Sequence, residues 1–298
     1  MKKKKLSRGK LKELAQGYVF LLPWFCGFLL FTCWPMLQSL YLSFTSYDIF
    51  TEPKFIGFDN YVEMFTDDRM FANSLWVTLK YVLMSVPTKL AMALAVAIIL
   101  SQKMRGIGVY RTIYYLPSIL GASVAMSVTW KMVLGRDGFL NYLLGLVGIE
   151  PLNFLSDPKL SVPSLAMISA WQFGSAMLIF LSGLKNIPQE LYEAAEVDGA
   201  RPLKRFIHIT QPLLSPTILF NFINNMIGSF QVFTAAYVMT SGGPVDSTYF
   251  YVLHLYRTAF ESFRMGYASA LAWFLTIIIM IVTAITFKLS DKYVYYEN

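Results

Sequence analysis

The residues of this sequence best suited to binding chemistry are amides and hydroxyls that interrupt a long apolar stretch. Asn221, Asn224 and Asn225 follow the spacing i, i+3, i+4, which places them on one face of a helix. Amide and hydroxyl groups donate and accept hydrogen bonds, so the chemistry they offer is recognition, not bond making. The positions that we predict to form a polar pathway are Asn221, Asn225, Ser229, Gln231 and Tyr237.

Two interpretations of this polar face stay open at the level of sequence. Amides within lipid are costly unless they meet partners or water, and membrane helices often use them for hydrogen bonds to one another. Alternatively, the face lines a path for a hydroxylated solute, and Phe230, Phe233 and Tyr237 supply apolar faces for sugar rings. Aromatic residues are also ordinary membrane packing, so they do not decide between the two.

The sequence lacks the residue patterns that bind nucleotides or metals, or that catalyse hydrolysis. No phosphate-cradling loop of the form G-x-x-x-x-G-K-[ST] occurs. His208 and His254 are far apart in sequence and have no matching Cys partners, which disfavours a metal site. No Ser/His/Asp arrangement stands out. We therefore expect no enzymatic activity, no metal and no cofactor in this chain.

The composition is that of a membrane protein built from helices. Of the 298 residues, 56% are hydrophobic and 14% are charged, against about 25% charged in soluble domains. Apolar runs long enough to cross a bilayer recur, whereas a β-barrel would show short alternating segments. The predicted fold class is therefore an all-α polytopic membrane protein, with residues 17–298 forming one transmembrane domain. Six spans are predicted, at about 17–44, 74–100, 112–134, 163–184, 214–240 and 266–287.

The ionisable residues of these spans are few. None of the six spans contains Asp or Glu, although ion-coupled transporters usually hold a carboxylate or a broken helix near mid-membrane. Ion coupling is therefore disfavoured. Lys80, Lys89 and Lys131 lie within spans or near their ends, and we interpret them as lysines that snorkel toward the membrane surface.

The distribution of basic residues predicts the orientation. The chain carries a formal net charge of +7, and its first 12 residues hold seven basic side chains. Beside a span, such a cluster indicates topology and not nucleic-acid binding. Loop 101–111 is also basic, whereas loop 45–73 is mostly acidic. We therefore expect residues 1–16 to form a basic cytoplasmic tail, loop 45–73 to lie outside, and the C-terminus to return to the cytoplasm.

A polar block at residues 187–212 lies on the predicted cytoplasmic face. Leu191, Ala194 and Ala195 form an apolar strip on a predicted helix that ends at Asp198-Gly199, where glycine can adopt a positive φ. Pro202 can open a second short helix, and Pro212 and Pro216 then mark the return to the membrane. Because the first helix is net acidic, anionic lipid would repel it, and the helix is not expected to lie on the membrane surface. The block is therefore interpreted as a docking site for a protein partner.

The sequence of this block is also specific. The stretch ELYEAAEVDGARPLKRFIHITQPLLSPT closely resembles the EAA loop of ABC-importer permeases, whose pattern is E-A-A, then D-G-A, then F-x-x-I-x-L-P-x-x-x-P. Gln211 departs from it, because the family usually has Leu there. Other segments resemble the sugar permeases of the maltose and multiple-sugar type, namely 55–65, 110–120, 138–148, 229–248 and 265–275. The positions that match the loop are Glu193, Ala194, Ala195, Asp198, Gly199, Ala200, Phe206, Ile209, Pro212 and Pro216.

The resemblance implies a fold, a mechanism and a set of partners. It implies the ABC importer type I permease fold in a bacterial plasma membrane. A second, homologous permease would complete the pathway, and an extracytoplasmic solute-binding protein would deliver the solute. An ABC ATPase dimer would bind ATP and Mg²⁺ and receive the EAA helix in a groove. The residues implied in this coupling are Glu193, Ala194, Ala195, Asp198 and Gly199.

The implied function is the permease subunit of an ATP-driven importer for a sugar or oligosaccharide. Two alternatives stay open, a glycerol-phosphate importer permease of the same family and an ion-coupled secondary transporter. No Arg or Lys lies in the predicted fifth span, 214–240, and this favours a neutral sugar over a phosphate.

Overall fold

The chain is built from helices and one very small sheet. The computed structural model describes residues 8–102, 105–121, 123–290 and 294, with backbone alone for residues 8–17. The helices are α1 (Arg8–Phe28), α2 (Trp34–Leu42), α3 (Asp59–Thr66), α4 (Arg69–Ser101), α5 (Ile107–Leu120), α6 (Val124–Val133), α7 (Phe139–Leu146), α8 (Ser161–Trp171), α9 (Gly174–Asn186), α10 (Gln189–Val197), α11 (Pro202–Arg205), α12 (Gln211–Phe230), α13 (Tyr251–Phe260) and α14 (Met265–Ser290). Three π-helical segments cover Leu29–Cys33, Phe206–Thr210 and Ala236–Thr240, and strands β1 (Thr45–Ser46) and β2 (Lys54–Phe55) pair antiparallel.

Within the described residues, four helices are long and apolar enough to cross a membrane, or up to six if each of two bent pairs forms one span. The predicted span 112–134 corresponds to the pair α5 and α6. The predicted span 163–184 corresponds to α8 and α9, whose axes differ by 48°. The four long helices are Tyr18–Leu42, Arg69–Ser101, Pro202–Phe230 and Met265–Ser290.

Two of these long helices contain a π-helical turn just before a proline. Leu29–Cys33 precedes Pro35, and Phe206–Thr210 precedes Pro212. Proline has no N–H, and its ring clashes with the carbonyl four residues earlier. The wider π turn accommodates this, and the N–H of Gln211 bonds the carbonyl of Phe206 five residues back. The helix therefore continues through the proline.

This continuity corrects the predicted limits of the fifth span. We expected a separate short helix after Pro202 and a span over 214–240, but one helix runs from Pro202 to Phe230. The segment that we assigned to the end of the span forms a separate π-helical turn at Ala236–Thr240. The prolines at 212 and 216 lie inside the long helix and do not mark its beginning, because the π turn absorbs the strain.

The chain divides into two compact units. The smaller comprises residues up to Thr66 together with Thr258–Phe274. Within it, buried Asn60 donates to the carbonyls of Ser43 and Thr45, both at 2.9 Å. The Arg264 guanidinium forms a two-point ion pair with the Glu63 carboxylate at 2.6 and 2.7 Å. The Asn60 bonds hold the start of the loop after α2 against α3, and the ion pair joins α3 to the residue before α14.

The larger unit, Asp67–Arg257 with Leu275–Asn298, is organised around α4. Helices α8, α9 and α12 pack against it. Ala93 and Ala97 are fully buried beside Met177 and Phe180, since small residues let membrane helices approach closely. At its beginning, the Asp68 carboxylate caps α4 by accepting the N–H groups of Met70 and Phe71.

The loop predictions have different outcomes. The sequence of segment 135–161 predicts a short amphipathic helix, and α7 confirms it. The basic side chains of the predicted tail 1–16, together with Lys103 and Lys292, lie outside the described residues. The orientation that they indicate stays a prediction.

Candidate functional site

A polar cavity of about 370 Å³ lies within the larger unit, among α4, α6, α8 and α12. A second cavity of about 350 Å³ lies beside it, toward α9. Four polar residues line both, so the two cavities adjoin. They are Lys89, Gln172, Asn224 and Asn225.

Two of the predicted pathway residues serve mainly to pack helices together. Asn221 is only 1% exposed, and its side-chain N–H donates to the carbonyl of Ala176 on α9 at 3.3 Å. Ser229 is buried as well, and Ser85 of α4 donates to its hydroxyl at 3.2 Å. Both also reach a cavity wall, but their bonds fit the helix–helix interpretation.

The other amides of α12 fit the pathway interpretation. Asn224 donates one N–H to the carbonyl of Phe220, and Asn225 donates one to the carbonyl of Asn221. Each amide thereby keeps a second N–H and its oxygen without a hydrogen bond to the described residues. Both line the two cavities, and Gln231 lines the larger one. The polar face is therefore divided. Asn221 and Ser229 bond neighbouring helices, whereas Asn224, Asn225 and Gln231 face the cavity.

The aromatic residues divide in the same way. Phe233 and Trp130 line the larger cavity, whereas Phe230 is buried in packing. Tyr237 is not among the residues that line either cavity. Its ring stacks on Phe233 at 5.3 Å and contacts Tyr256 at the same distance. Tyr237 therefore supports the wall from behind.

The structure adds a residue that the sequence reasoning did not place here. Lys89 of α4 lines both cavities, whereas Lys80 lies over the ring of Trp76 and Lys131 donates to the carbonyl of Val238. The predicted fifth span itself holds no Arg or Lys, but a cation from the neighbouring helix α4 lines the same cavities as its amides. Lys89 and Asn225 are far apart in sequence, so no local pattern indicates that they line the same cavity.

A second feature, outside the cavities, is the exposed helix α10. Glu193, Ala194, Asp198 and Gly199 are exposed and Ala195 is half-buried, so the predicted coupling residues lie together on a projecting turn. Gly199 has φ +72°, which confirms that glycine ends this helix in the left-handed conformation. A Cβ at Gly199 would meet nothing within 4 Å, so this turn is open to a partner.

Two bonds tie this turn to the helix that carries the amides. The hydroxyls of Tyr192 and Thr210 lie 2.8 Å apart, and Arg205 forms a 3.0 Å ion pair with Glu196. Thr210 and Arg205 belong to the continuous helix Pro202–Phe230. At a rise of about 1.5 Å per residue, the Cα of Pro202 and that of Asn221 are about 29 Å apart along this helix.

The ionisable groups elsewhere in the larger unit are structural. His254 lies 2.7 Å from Asp68 across 186 positions of sequence, and the hydroxyl of Tyr249 lies 3.3 Å from its other ring nitrogen. Burial, aided by the Asp68 carboxylate, raises the pKa of the Tyr251 hydroxyl, so this group stays protonated. Among the described residues, no three His, Cys, Asp or Glu side chains are grouped as metal ligands.

Comparison with known proteins gives relatives along the whole chain. Residues 69–294 match the family described as "Binding-protein-dependent transport system inner membrane component". The chain is 49% identical over 297 residues to a probable ABC transporter permease protein, YesP of Bacillus subtilis (strain 168), covering 99% of this chain and 96% of the relative. It is 30% identical over 286 residues to the arabinooligosaccharides transport system permease protein AraP of the same strain, covering 94% and 90%.

The fold also has a solved counterpart. The chain is similar to a chain of a bacterial ABC transporter involved in the import of the acidic polysaccharide alginate, with a TM-score of 0.83 and 23% identity. The match covers 95% of this chain and 98% of that one. At this identity the likeness bears on the fold alone, and it confirms the predicted importer-permease fold.

The division of the amide face leads to a stability prediction. We expect Asn221→Leu to lower the Tm of the purified protein, because it removes a buried interhelical hydrogen bond contributing about 1 kcal/mol. Asn224→Leu is the matched control, since Asn224 bonds only its own helix and lines a cavity. Thermal unfolding in detergent measures both, and equal shifts in Tm would contradict the division.

Proposed function

This chain belongs to the family of binding-protein-dependent transport system inner membrane components, and we propose that it forms half of the translocation pathway of an ATP-driven importer for a sugar or oligosaccharide. The observation that carries the proposal is the continuous helix Pro202–Phe230. At one end it is tied to an exposed docking turn, and further along it presents amides to a cavity. A push on the turn would therefore move the cavity wall.

The lining of the cavity supports a saccharide as the solute. Asn224, Asn225 and Gln231 offer hydrogen-bonding groups that suit hydroxyls, and Trp130 and Phe233 offer aromatic surface. The similarity to a permease for arabinooligosaccharides supports the same class. An ion-coupled transporter is disfavoured by the family, in which transport depends on a binding protein.

The partners follow from the family and from this geometry. A solute-binding protein is part of the family's description. In our proposal, a second homologous permease closes the pathway, and an ABC ATPase dimer binds ATP and Mg²⁺ below it. The exposed turn formed by Glu193, Ala194, Ala195, Asp198 and Gly199 docks in a groove of one ATPase subunit. Both termini and this turn lie in the bacterial cytoplasm.

Substitutions on the docking turn test the coupling. We expect Glu193→Lys and Gly199→Asp to reduce ATP-dependent solute uptake by about tenfold or more while membrane insertion stays normal, because both sites face away from the rest of this chain. About 1.4 kcal/mol of lost docking energy is enough for a tenfold effect. The measurement is uptake together with ATP hydrolysis by the whole importer in proteoliposomes.

The matched control is Glu150→Lys, the same charge change at an exposed site in the segment between α7 and α8. It should leave uptake unchanged. Normal uptake by both turn variants would contradict the coupling role. If an ionophore abolishes uptake and ATP depletion does not, the proposal of an ATP-driven importer is wrong.

Substitutions in the cavity test the pathway. We expect Asn225→Leu and Gln231→Leu each to lower saccharide uptake by about tenfold, because each removes hydrogen bonds to the solute that contribute about 1 kcal/mol apiece. Assembly with the partner subunits, measured by co-purification, should be unaffected. Unchanged uptake would return these residues to a packing role.

A further inference from the structure

The lysine in the polar cavity has no role in the function proposed so far. Resting on that proposed function, we infer that Lys89 binds an anionic group of the transported saccharide, the carboxylate of a uronic acid. The inference deepens the proposed function by naming the charge of its substrate. It also changes the expectation of a neutral sugar that the sequence alone favoured.

Lys89 lies on the wall that the two cavities share. It shares the walls of both cavities with Gln172, Asn224 and Asn225, so it lies where the two cavities adjoin. These neighbours are neutral hydrogen-bonding groups that suit the hydroxyls of a sugar ring. A cation among them adds recognition of one negative charge.

The charge of Lys89 has no counterpart among the residues that the structure describes. Among the described residues, no hydrogen bond or salt bridge reaches the Lys89 ammonium, and no Asp or Glu lines either cavity. A charge held away from bulk water is costly unless it is paired. An anionic solute would provide the pairing, and only while it occupies the pathway.

The placement of Lys89 on the cavity wall weighs against snorkelling. Lys89 lies 12 residues before the end of α4 at Ser101, which is about 18 Å along the helix axis. Lys89 is half-buried and lines the cavities.

The charge favours a carboxylate over a phosphate. A phosphate monoester carries about −1.5 to −2 at neutral pH, whereas a uronic acid carries a single charge. Lys89 is the sole cation among the described residues that line the two cavities. One ammonium therefore balances a carboxylate and leaves a phosphate partly unpaired.

The experiment compares charged and neutral saccharides of one shape. The whole importer, with its binding protein, is reconstituted in proteoliposomes and given a panel of uronic-acid trisaccharides and the carboxyl-reduced counterpart of each. Three variants are compared with the unmodified chain: Lys89→Met, which removes the charge; Lys89→Arg, which keeps it; and Lys80→Met, a control on the same helix. Because one binding protein serves every variant, its selectivity cancels in the ratios.

We expect Lys89→Met to lower uptake of a charged trisaccharide at least tenfold while uptake of its neutral counterpart changes less than twofold. Lys89→Arg should keep most of the charged uptake, and Lys80→Met should resemble the unmodified chain. An equal loss for charged and neutral sugars with Lys89→Met would overturn the inference and leave Lys89 a structural role.

Two further outcomes separate this inference from the proposed function. If only neutral saccharides are taken up, the inference of an anionic substrate is wrong and the proposed sugar importer stands. If no saccharide is taken up in an ATP-dependent way, both the inference and the proposed function are wrong. Glycerol 3-phosphate is the last probe. If its uptake exceeds that of every uronic-acid trisaccharide and depends on Lys89, the assignment to a sugar carboxylate is wrong.

Discussion

The structure depends on one constraint, that a polar group within hydrocarbon must have a partner or reach water. Helix α12 meets it in two ways. Asn221 is sealed against α9 through the carbonyl of Ala176, and Ser229 is sealed against Ser85 of α4. Asn224 and Asn225 instead satisfy one N–H on their own helix and face a cavity. The same constraint therefore fixes the packing of the helices and marks where the membrane domain holds open polar space.

A second consequence is that the docking turn and the cavity share one continuous helix. The π turn at Phe206–Thr210 lets this helix continue through Pro212, so one helix joins the exposed turn to the cavity wall. The bonds of Tyr192 and Glu196 fasten the turn to this helix. In the proposed function, displacement of the turn by a partner would displace the amide-bearing wall.

Some of these features can be predicted from the sequence and others cannot. Helical spacing placed the three asparagines on one face, and the turn at Asp198-Gly199 was readable because only a few residues accept a positive φ. The division of the asparagines was not readable, since it depends on which helix lies opposite each one. Lys89 and the pair of Asp68 with His254 were missed for the same reason, because tertiary packing joins residues that no local pattern connects. The predicted start of the fifth span was wrong because we took Pro212 and Pro216 as the point where a new helix begins. A π turn before Pro212 instead lets one helix continue through both prolines.

The central claim is that Asn225 faces the solute path while Asn221, one turn away, does not. Its most direct measurement is thiol accessibility in the reconstituted importer, with the native residues changed as Cys26→Ser and Cys33→Ser. A single cysteine, introduced as Asn225→Cys or Asn221→Cys, is then exposed to a membrane-impermeant thiol reagent. The account predicts rapid modification at 225, slowed by the transported saccharide, and none at 221. Equal modification at both positions, or modification at 225 that the saccharide does not slow, would contradict it.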